Sequence, residues 1–175
     1  PPERSSSHCG GPGRRRRGLS GIRDFNARRN AKNFSLEELA AAVSYCHVRG
    51  AKVFLTLNTL VSDRELPTAA RTAAEAAEAG VDAVLIQDLG VLRMLRQVAP
   101  RLVVHGSTQL TVHSLDGVRR CAELGMARVV LSRELSRDAI EHICLNSPIE
   151  IETFVHGALC MCYSGQCFFS SVIGG

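Results

Sequence analysis

Residues 80–88 read Gly-Val-Asp-Ala-Val-Leu-Ile-Gln-Asp, and this stretch decides the fold. A glycine closes a helical pattern, an apolar run follows it, and polar residues come directly after the run. Because the run does not alternate with polar residues, it predicts a strand covered on both faces, as in a parallel sheet. The order glycine-then-strand recurs after Gly50 and Gly125, which indicates a repeated structural unit.

Outward from this stretch, strands are predicted to alternate with helices. The predicted strands are Lys52–Leu57, Val81–Ile86, Leu102–His105, Arg128–Leu131 and Ile149–Val155. Helical patterns lie between them, and Ser35 with Glu38 has the spacing of a capping box before another. This alternation predicts an α/β fold built of βα units.

Two α/β architectures fit the pattern, an open doubly wound sheet and a (β/α) barrel. We favour a partial TIM-like (β/α) barrel because no glycine-rich phosphate loop follows any strand. About five strands are visible, whereas a complete barrel has eight. The barrel is therefore expected to be incomplete.

Residues 1–21 differ in composition from the rest of the chain. They are rich in Gly, Pro, Ser and Arg, and residues 1–23 carry six arginines and one acid, more than the whole formal charge of +4. We expect a disordered, solvated tail over 1–21 and one domain over 22–175. The run Arg14–Arg17 could instead bind phosphates.

The composition also bounds the location of the protein. No apolar stretch approaches the roughly 20 residues that span a bilayer, and no secretory signal is recognisable. A cytoplasmic protein with no membrane contact is expected. The seven cysteines are an odd number, and three of them lie within Cys160–Cys167, which favours metal or redox chemistry over a disulfide framework.

Polar residues follow every predicted strand, where the active sites of βα barrels lie. The richest stretch begins at His105 and offers donors and acceptors for a small polar ligand or a base edge. The candidate substrate-binding residues are Asn58, His105, Ser107, Thr108, Gln109, Arg133, Glu134 and His156. His105 and His113 are possible general bases, but no catalytic residue is assigned.

The remaining histidines and cysteines of the barrel region lie in helical patterns. His47 and His142 are expected at the surface or at its boundary. Cys46, Cys121 and Cys144 are expected to behave as small apolar residues.

The segment after the last strand carries the strongest chemical signal. Cys160, Cys162 and Cys167 are close enough to converge on one metal ion, and thiolates select zinc, copper(I) or iron–sulfur clusters. With His156 they could form a four-ligand zinc site, although the spacing is not that of a zinc finger. Inert buried cysteines and a nucleophilic cysteine remain alternatives on spacing alone.

The same segment resembles the signature of the collagenase-like peptidase family U-32. The matching residues are Glu152, Phe154, Gly157, Ala158, Leu159, Cys160, Tyr163, Ser164, Gly165, Cys167 and Ser170. Upstream, Phe25-Asn-Ala-Arg, Leu55-Thr-Leu-Asn-Thr-Leu and Ser107-Thr-Gln also look like this family. The resemblance covers about residues 24–175.

The resemblance implies a TIM-like barrel and, in several members, oxygen-independent hydroxylation of RNA or of the ubiquinone ring. Such members hold a four-iron four-sulfur cluster with four cysteines, and Cys160 and Cys167 match the first two. RNA and a small organic oxygen donor are the implied partners. The family opens with a further strand and continues into more cysteines, so the resemblance implies a fragment that is incomplete at both ends and lacks the other cluster ligands.

Three functions follow as hypotheses. The first is an iron–sulfur-dependent factor that hydroxylates tRNA or rRNA. The second is the peptidase of the family name, although the chain has no HExxH and no Gly-x-Ser-x-Gly motif. The third is a non-catalytic subunit that binds a cluster.

Overall fold

The computed structural model describes residues 7–8, 17–21, 35–157 and 161–167. The chain divides into two compact units, one of residues 13–104 and one of residues 1–12 and 105–175. In both, strands alternate with helices, which confirms the predicted α/β class. Within these described ranges, no helix is long and apolar enough to cross a membrane.

The described residues of the unit 13–104 form three parallel strands and three helices. In chain order these are β2 (Arg17–Gly21), α1 (Leu36–His47), β3 (Lys52–Leu57), α2 (Leu66–Glu78), β4 (Ala83–Ile86) and α3 (Leu89–Val98). Strand β3 lies between β2 and β4 and pairs in parallel with both. Strands and helices alternate in the second unit as well.

The unit of residues 1–12 and 105–175 is built on parallel strands β5, β6 and β7. Its elements are β1 (Ser7–His8), β5 (Val103–Gly106, which begins at the boundary), a 3₁₀ turn (Thr108–Leu110), α4 (Leu115–Glu123), β6 (Arg128–Val130), α5 (Arg137–Asn146) and β7 (Glu150–Thr153). Strand β6 pairs in parallel with β5 and β7, and β1 adds an antiparallel edge to β7. All five predicted strands are present, with ends shifted by at most two residues.

Local sequence explains where the elements begin and end. The backbone amide of Ser35 donates to the Glu38 carboxylate over 2.8 Å, and the Glu38 amide donates to the Ser35 hydroxyl over 3.3 Å, which confirms the capping box. Gly50, Gly80 and Gly125 follow α1, α2 and α4 with φ of +67°, +85° and +80°. That left-handed conformation ends a helix and turns the chain into the next strand, so the repeat read from the sequence is a repeat of helix ends.

The structure differs from the prediction that residues 1–21 are unstructured. Residues 7–8 and 17–21 form β1 and β2, while the rest of this segment lies outside the described residues. Strand β2 runs parallel to β3 from Arg17 beside Lys52 to Gly21 beside Thr56. Main-chain pairing with a strand edge needs no apolar side chains, so hydrophobic periodicity could not reveal it.

The apolar core of residues 13–104 depends on β3, and Leu55 in that strand is fully buried. We expect Leu55→Ala to lower the free energy of unfolding by about 2–5 kcal/mol, because it removes buried methyl groups and leaves a cavity. Chemical denaturation measures the change. Leu60→Ala is the matched control, since Leu60 is 67% exposed and its truncation should change stability by about 0.5 kcal/mol or less. Equal losses in the two variants would contradict the assignment of β3 as a core strand.

Candidate functional site

Three loops meet the same edge of the sheet in the unit of residues 105–175. Parallel register places His105 beside Arg128 and Arg128 beside Glu150, so β5, β6 and β7 point the same way. Their carboxyl ends lead into residues 107–111, 132–134 and 154–156. These are three of the predicted strand-end segments, and the candidate site is built from them.

The cysteine loop of residues 161–167 is held by one buried serine. Ser164 is 1% exposed, and its backbone amide donates to the Glu134 carboxylate over 2.6 Å. Its hydroxyl oxygen accepts from the backbone amide and from the side-chain Nε of Arg133, each over 3.2 Å. Its carbonyl oxygen accepts from the hydroxyl of Thr111 over 2.8 Å. Every polar group of Ser164 is therefore bonded, and the loop is fixed to the residues that follow β5 and β6.

Gly165 allows this close approach. Its φ is +76°, and a Cβ atom there would overlap the carbonyl oxygen of Gln109 and lie 2.9 Å from the Thr111 hydroxyl oxygen. Any other residue would be strained by the backbone angle and also obstructed by main-chain atoms. A further bond from the Gln166 amide to the Tyr163 carbonyl, over 3.0 Å, closes the turn.

The carboxylate of Glu134 accepts the hydrogen bond of the Ser164 backbone amide. Partial burial acts to raise its pKa, but bonds from its own and the Ser164 backbone amides, the Ser164 side chain and the positive charge of Arg133 outweigh this effect. The pKa of Glu134 therefore lies below its usual value. The ionised form is the one that holds the loop.

The residues after β5 mostly bond to one another or to β6. The buried hydroxyl of Ser107 donates to the side-chain oxygen of Gln109, and the Thr108 hydroxyl donates to the Leu131 carbonyl over 3.2 Å. Thr111 has φ +60°, a left-handed conformation that is rare for a β-branched residue. The stretch predicted to bind a ligand thus also shapes the platform on which the cysteine loop rests.

An ion-pair cluster centred on the buried Arg128 joins β6 to β7 and was not predicted. Arg128 is 3% exposed, its Nε donates to Glu150 over 2.9 Å, and its Nη1 donates to Glu152 over 3.1 Å. His105, 5% exposed, is its register neighbour on β5. In the sequence, the signals were Arg128 at the start of one apolar strand and two acids, Glu150 and Glu152, at alternate positions in the next. Side chains two residues apart lie on the same face of a strand, so both acids can reach the arginine.

Ser132 is the exception to this pattern of satisfied polar groups. It is 4% exposed at the end of β6, and within the described part of the chain its hydroxyl has no hydrogen-bond partner. A buried hydroxyl without a partner costs about 1–3 kcal/mol. It is therefore a polar group available to a ligand or a water molecule.

The remaining predicted site residues differ in burial. Asn58 follows β3 in the unit of residues 13–104 and is buried, whereas His156 follows β7 and is exposed. Cys167 is an exposed free thiol and Cys162 is also exposed, while Cys160 lies outside the described residues. Among the residues that are described, no three or more His, Cys, Asp or Glu side chains are grouped so as to hold a metal ion.

Helical histidines and cysteines lie close to where they were expected. Cys121 is buried, and burial raises the pKa of its thiol, as for an apolar residue; Cys46 and Cys144 are only half-buried. His47 is at the surface and contacts the Asp82 carboxylate over 2.8 Å. His113 and His142 line a cleft of about 440 Å³ between α4 and α5.

Gly165→Ala is expected to detach the cysteine loop. The variant combines a strained φ with overlap against Gln109, so the bonded amides of Ser164 and Gln166 should exchange with solvent at least about tenfold faster, the equivalent of about 1.4 kcal/mol. Hydrogen exchange by mass spectrometry or NMR measures this. Gly50→Ala is the control, because Gly50 has φ +67° but no atom within 4 Å of the added Cβ. Unchanged exchange in residues 163–167 would contradict the packing described for this loop.

The bond between Glu134 and the Ser164 amide is expected to be lost in acid. Because the pKa of Glu134 is lower in the folded protein, its stabilising effect is complete at neutral pH and fades as the pH falls below about 4.3 toward the folded value. The NMR shift of the Ser164 amide proton should report this transition. Glu134→Gln should abolish it, and Glu123→Gln, on α4, should not. A Ser164 shift that titrates equally in all three proteins would exclude Glu134 as the cause.

Comparisons with known proteins agree with this architecture. The model of peptidase family U32 matches residues 19–175. The 23S rRNA 5-hydroxycytidine C2501 synthase of Escherichia coli is 39% identical over 93% of this chain and 23% of its own length. An uncharacterized protease of Methanocaldococcus jannaschii is 38% identical over 89% of this chain and 39% of its own length. The tRNA hydroxylation protein P1 of Bacillus subtilis is 34% identical over 86% of this chain and 36% of its own length.

A solved structure shows the fold. The structure of a U32 peptidase has a TM-score of 0.62 at 15% identity, covering 86% of this chain and 70% of that one. It confirms the partial TIM-like (β/α) barrel. The chain spans well under half the length of the three curated relatives above. With a family model that covers nearly the whole chain, the protein belongs to peptidase family U32.

Proposed function

We propose that this chain is the barrel part of an iron–sulfur-dependent RNA hydroxylation factor that acts on tRNA or rRNA. The observation that carries the proposal is its similarity, over 86–93% of the chain, to proteins named for hydroxylation of rRNA and tRNA. RNA hydroxylation is thus a known activity within the family. Its assignment to this chain, and the dependence on a cluster, are the proposal.

Cys160 and Cys167 would hold the cluster, together with ligands from elsewhere in a whole protein. The described residues fit this role in kind: Cys167 is an exposed free thiol two residues after the glycine that locks the loop. Thiolates are the usual ligands of iron–sulfur clusters, and a fixed loop is suited to hold one. When bound, the cluster would supply electron transfer.

The substrate would lie against the carboxyl ends of the strands. Arg133 and His156 are exposed there and can meet phosphate or base edges, whereas His105 and Ser107 are buried beneath. Thr108, Gln109 and Glu134 complete the proposed set in this unit, and Asn58 is the proposed substrate-binding residue in the unit of residues 13–104. Ser132 joins it because its buried hydroxyl has no partner in the described residues.

The proposed reaction replaces a C–H bond of a nucleobase by C–OH. One oxygen atom enters the base and the base loses two electrons. A small organic donor would give up its hydroxyl group, accept the hydrogen atom in return, and so be reduced by two electrons. No other oxidant is needed for the balance.

The cluster is tested by metal content. After anaerobic purification of the protein with its natural flanking sequence, iron and sulfide should be present, and Cys160→Ser and Cys167→Ser should each lose most of both. Cys46→Ser is the matched control, since Cys46 is half-buried on α1. Mass spectrometry of RNA nucleosides from a deletion strain should show one hydroxylated nucleoside missing, restored by the wild-type gene and not by Cys167→Ser.

The peptidase reading is the second candidate, because one relative is named a protease. It predicts that the cysteine variants keep any bound metal and lose cleavage of peptides, with unchanged RNA nucleosides. A third outcome, iron bound but no nucleoside changed in the deletion strain, would indicate a non-catalytic cluster-binding subunit. Either result would overturn the hydroxylation proposal.

A further inference from the structure

Large apolar side chains are exposed on and beside the cysteine loop. Tyr163 is 71% exposed and Met161 99%, and Phe154, directly after β7, is 46% exposed. Folded proteins bury most aromatic rings because each ring removes a large apolar area from water. Large apolar side chains exposed together at the carboxyl edge of a sheet can mark a binding site.

Tyr163 is exposed on a rigid support. The residue after it, Ser164, is bonded through all its polar groups to Thr111, Arg133 and Glu134. The Tyr163 carbonyl also accepts from the Gln166 amide over 3.0 Å. Because the backbone is fixed on both sides, little conformational entropy would be lost when a ligand covers the ring. The side chain is held out toward solvent and is ready to bind.

A positive charge lies beside the backbone that carries the ring. The Arg133 guanidinium donates to the carbonyl of Cys162, the residue before Tyr163, over 3.3 Å, and Arg133 is exposed. His156, also exposed, follows Phe154 by two residues. Glu134 is the nearby opposing charge, but its carboxylate is engaged by the Ser164 amide. The surface thus combines aromatic rings with an exposed guanidinium and an exposed imidazole.

We propose that Tyr163, flanked by Arg133, is a stacking platform for an unpaired nucleobase of single-stranded RNA. The inference rests on the proposed function and names the form of RNA that this site takes. Unpaired bases stack on exposed aromatic rings and their phosphates pair with arginine, whereas paired bases in a duplex present no free face. Arg133 and His156 complement a phosphate backbone better than they complement an apolar protein surface. Phe154 offers a second ring at the end of the neighbouring strand.

The composition of the chain makes the stacking directly measurable. The protein has two tyrosines and no tryptophan, so Tyr45→Phe leaves Tyr163 as its only strong fluorophore. Tyr45 lies on α1, where its ring packs 3.5 Å from the Arg49 guanidinium carbon, and phenylalanine keeps that ring. A single-stranded oligocytidylate of about ten nucleotides, titrated into this variant, should quench the remaining emission after inner-filter correction. A duplex of the same length should not.

Affinity is measured separately by anisotropy of a labelled oligocytidylate. Tyr163→Ala should weaken binding about tenfold or more, because it removes the ring on which the base stacks. Tyr163→Phe should stay within about twofold, because it keeps the ring and removes only the hydroxyl. Tyr45→Ala is the matched control for loss of an exposed tyrosine and should bind as the wild type does.

The results separate this inference from the hydroxylation proposal, because the titration needs neither cluster nor turnover. Quenching that persists in Tyr45→Phe combined with Cys167→Ser supports stacking independently of metal. The stacking inference would be overturned if Tyr163 emission stayed unquenched with RNA bound. It would also be overturned if Tyr163→Ala bound with wild-type affinity or if the duplex bound equally well. Emission that responds to a peptide and not to RNA would also overturn it, in favour of a protein partner.

Discussion

The candidate site depends on the hydrogen bonds of a single buried side chain and its own backbone. Ser164 is bonded through its amide, its hydroxyl and its carbonyl to residues that follow β5 and β6. A loop containing glycine and exposed cysteines would otherwise sample many conformations, at a cost of about 1–2 kcal/mol for each residue that a ligand must order. The bonds of Ser164 order the loop during folding, so a ligand does not have to order it. The backbone of the exposed Tyr163, next to Ser164, is therefore held in position before anything binds.

The sheet contributes the other half of this constraint. Parallel strands bring residues about 20 or more positions apart in the chain to one edge, because each crossover helix returns the next strand in the same direction. Thr111 and Arg133 meet the loop for this reason. Below them, the buried Arg128 ties β6 to β7 through Glu150 and Glu152, and loss of both acids would leave a buried charge without an ion pair, which is more damaging than the pairs are stabilising. The acid of the family signature, Glu152, thus has a structural role.

The sequence allowed the strand–helix order to be predicted closely, because its signals are local. Helix caps such as Ser35, and glycines such as Gly125 with φ of +80°, act through main-chain geometry within a few residues. Strand β2 was missed because its Arg-Gly-Leu-Ser-Gly sequence has no apolar period and pairs through the backbone with β3. A pairing partner is a property of the neighbouring strand, and the pattern of the segment itself does not contain it.

The site was predictable as a region and less so as a set of contacts. Polar residues at strand ends were correctly expected at one edge for β5, β6 and β7, since parallel register requires it. Which of them remain available to a ligand could not be predicted, because that depends on side-chain pairs far apart in sequence. The Ser107 hydroxyl is hydrogen-bonded to the Gln109 side chain, two residues away. The Ser132 hydroxyl, of similar burial, has no hydrogen-bond partner in the described residues. Two hydroxyls with the same local pattern thus differ in chemical availability, and the difference arises only when the loops are assembled. Sequence therefore predicts the edge of the sheet where polar side chains gather, and three-dimensional hydrogen bonding determines which of them remain available to a ligand.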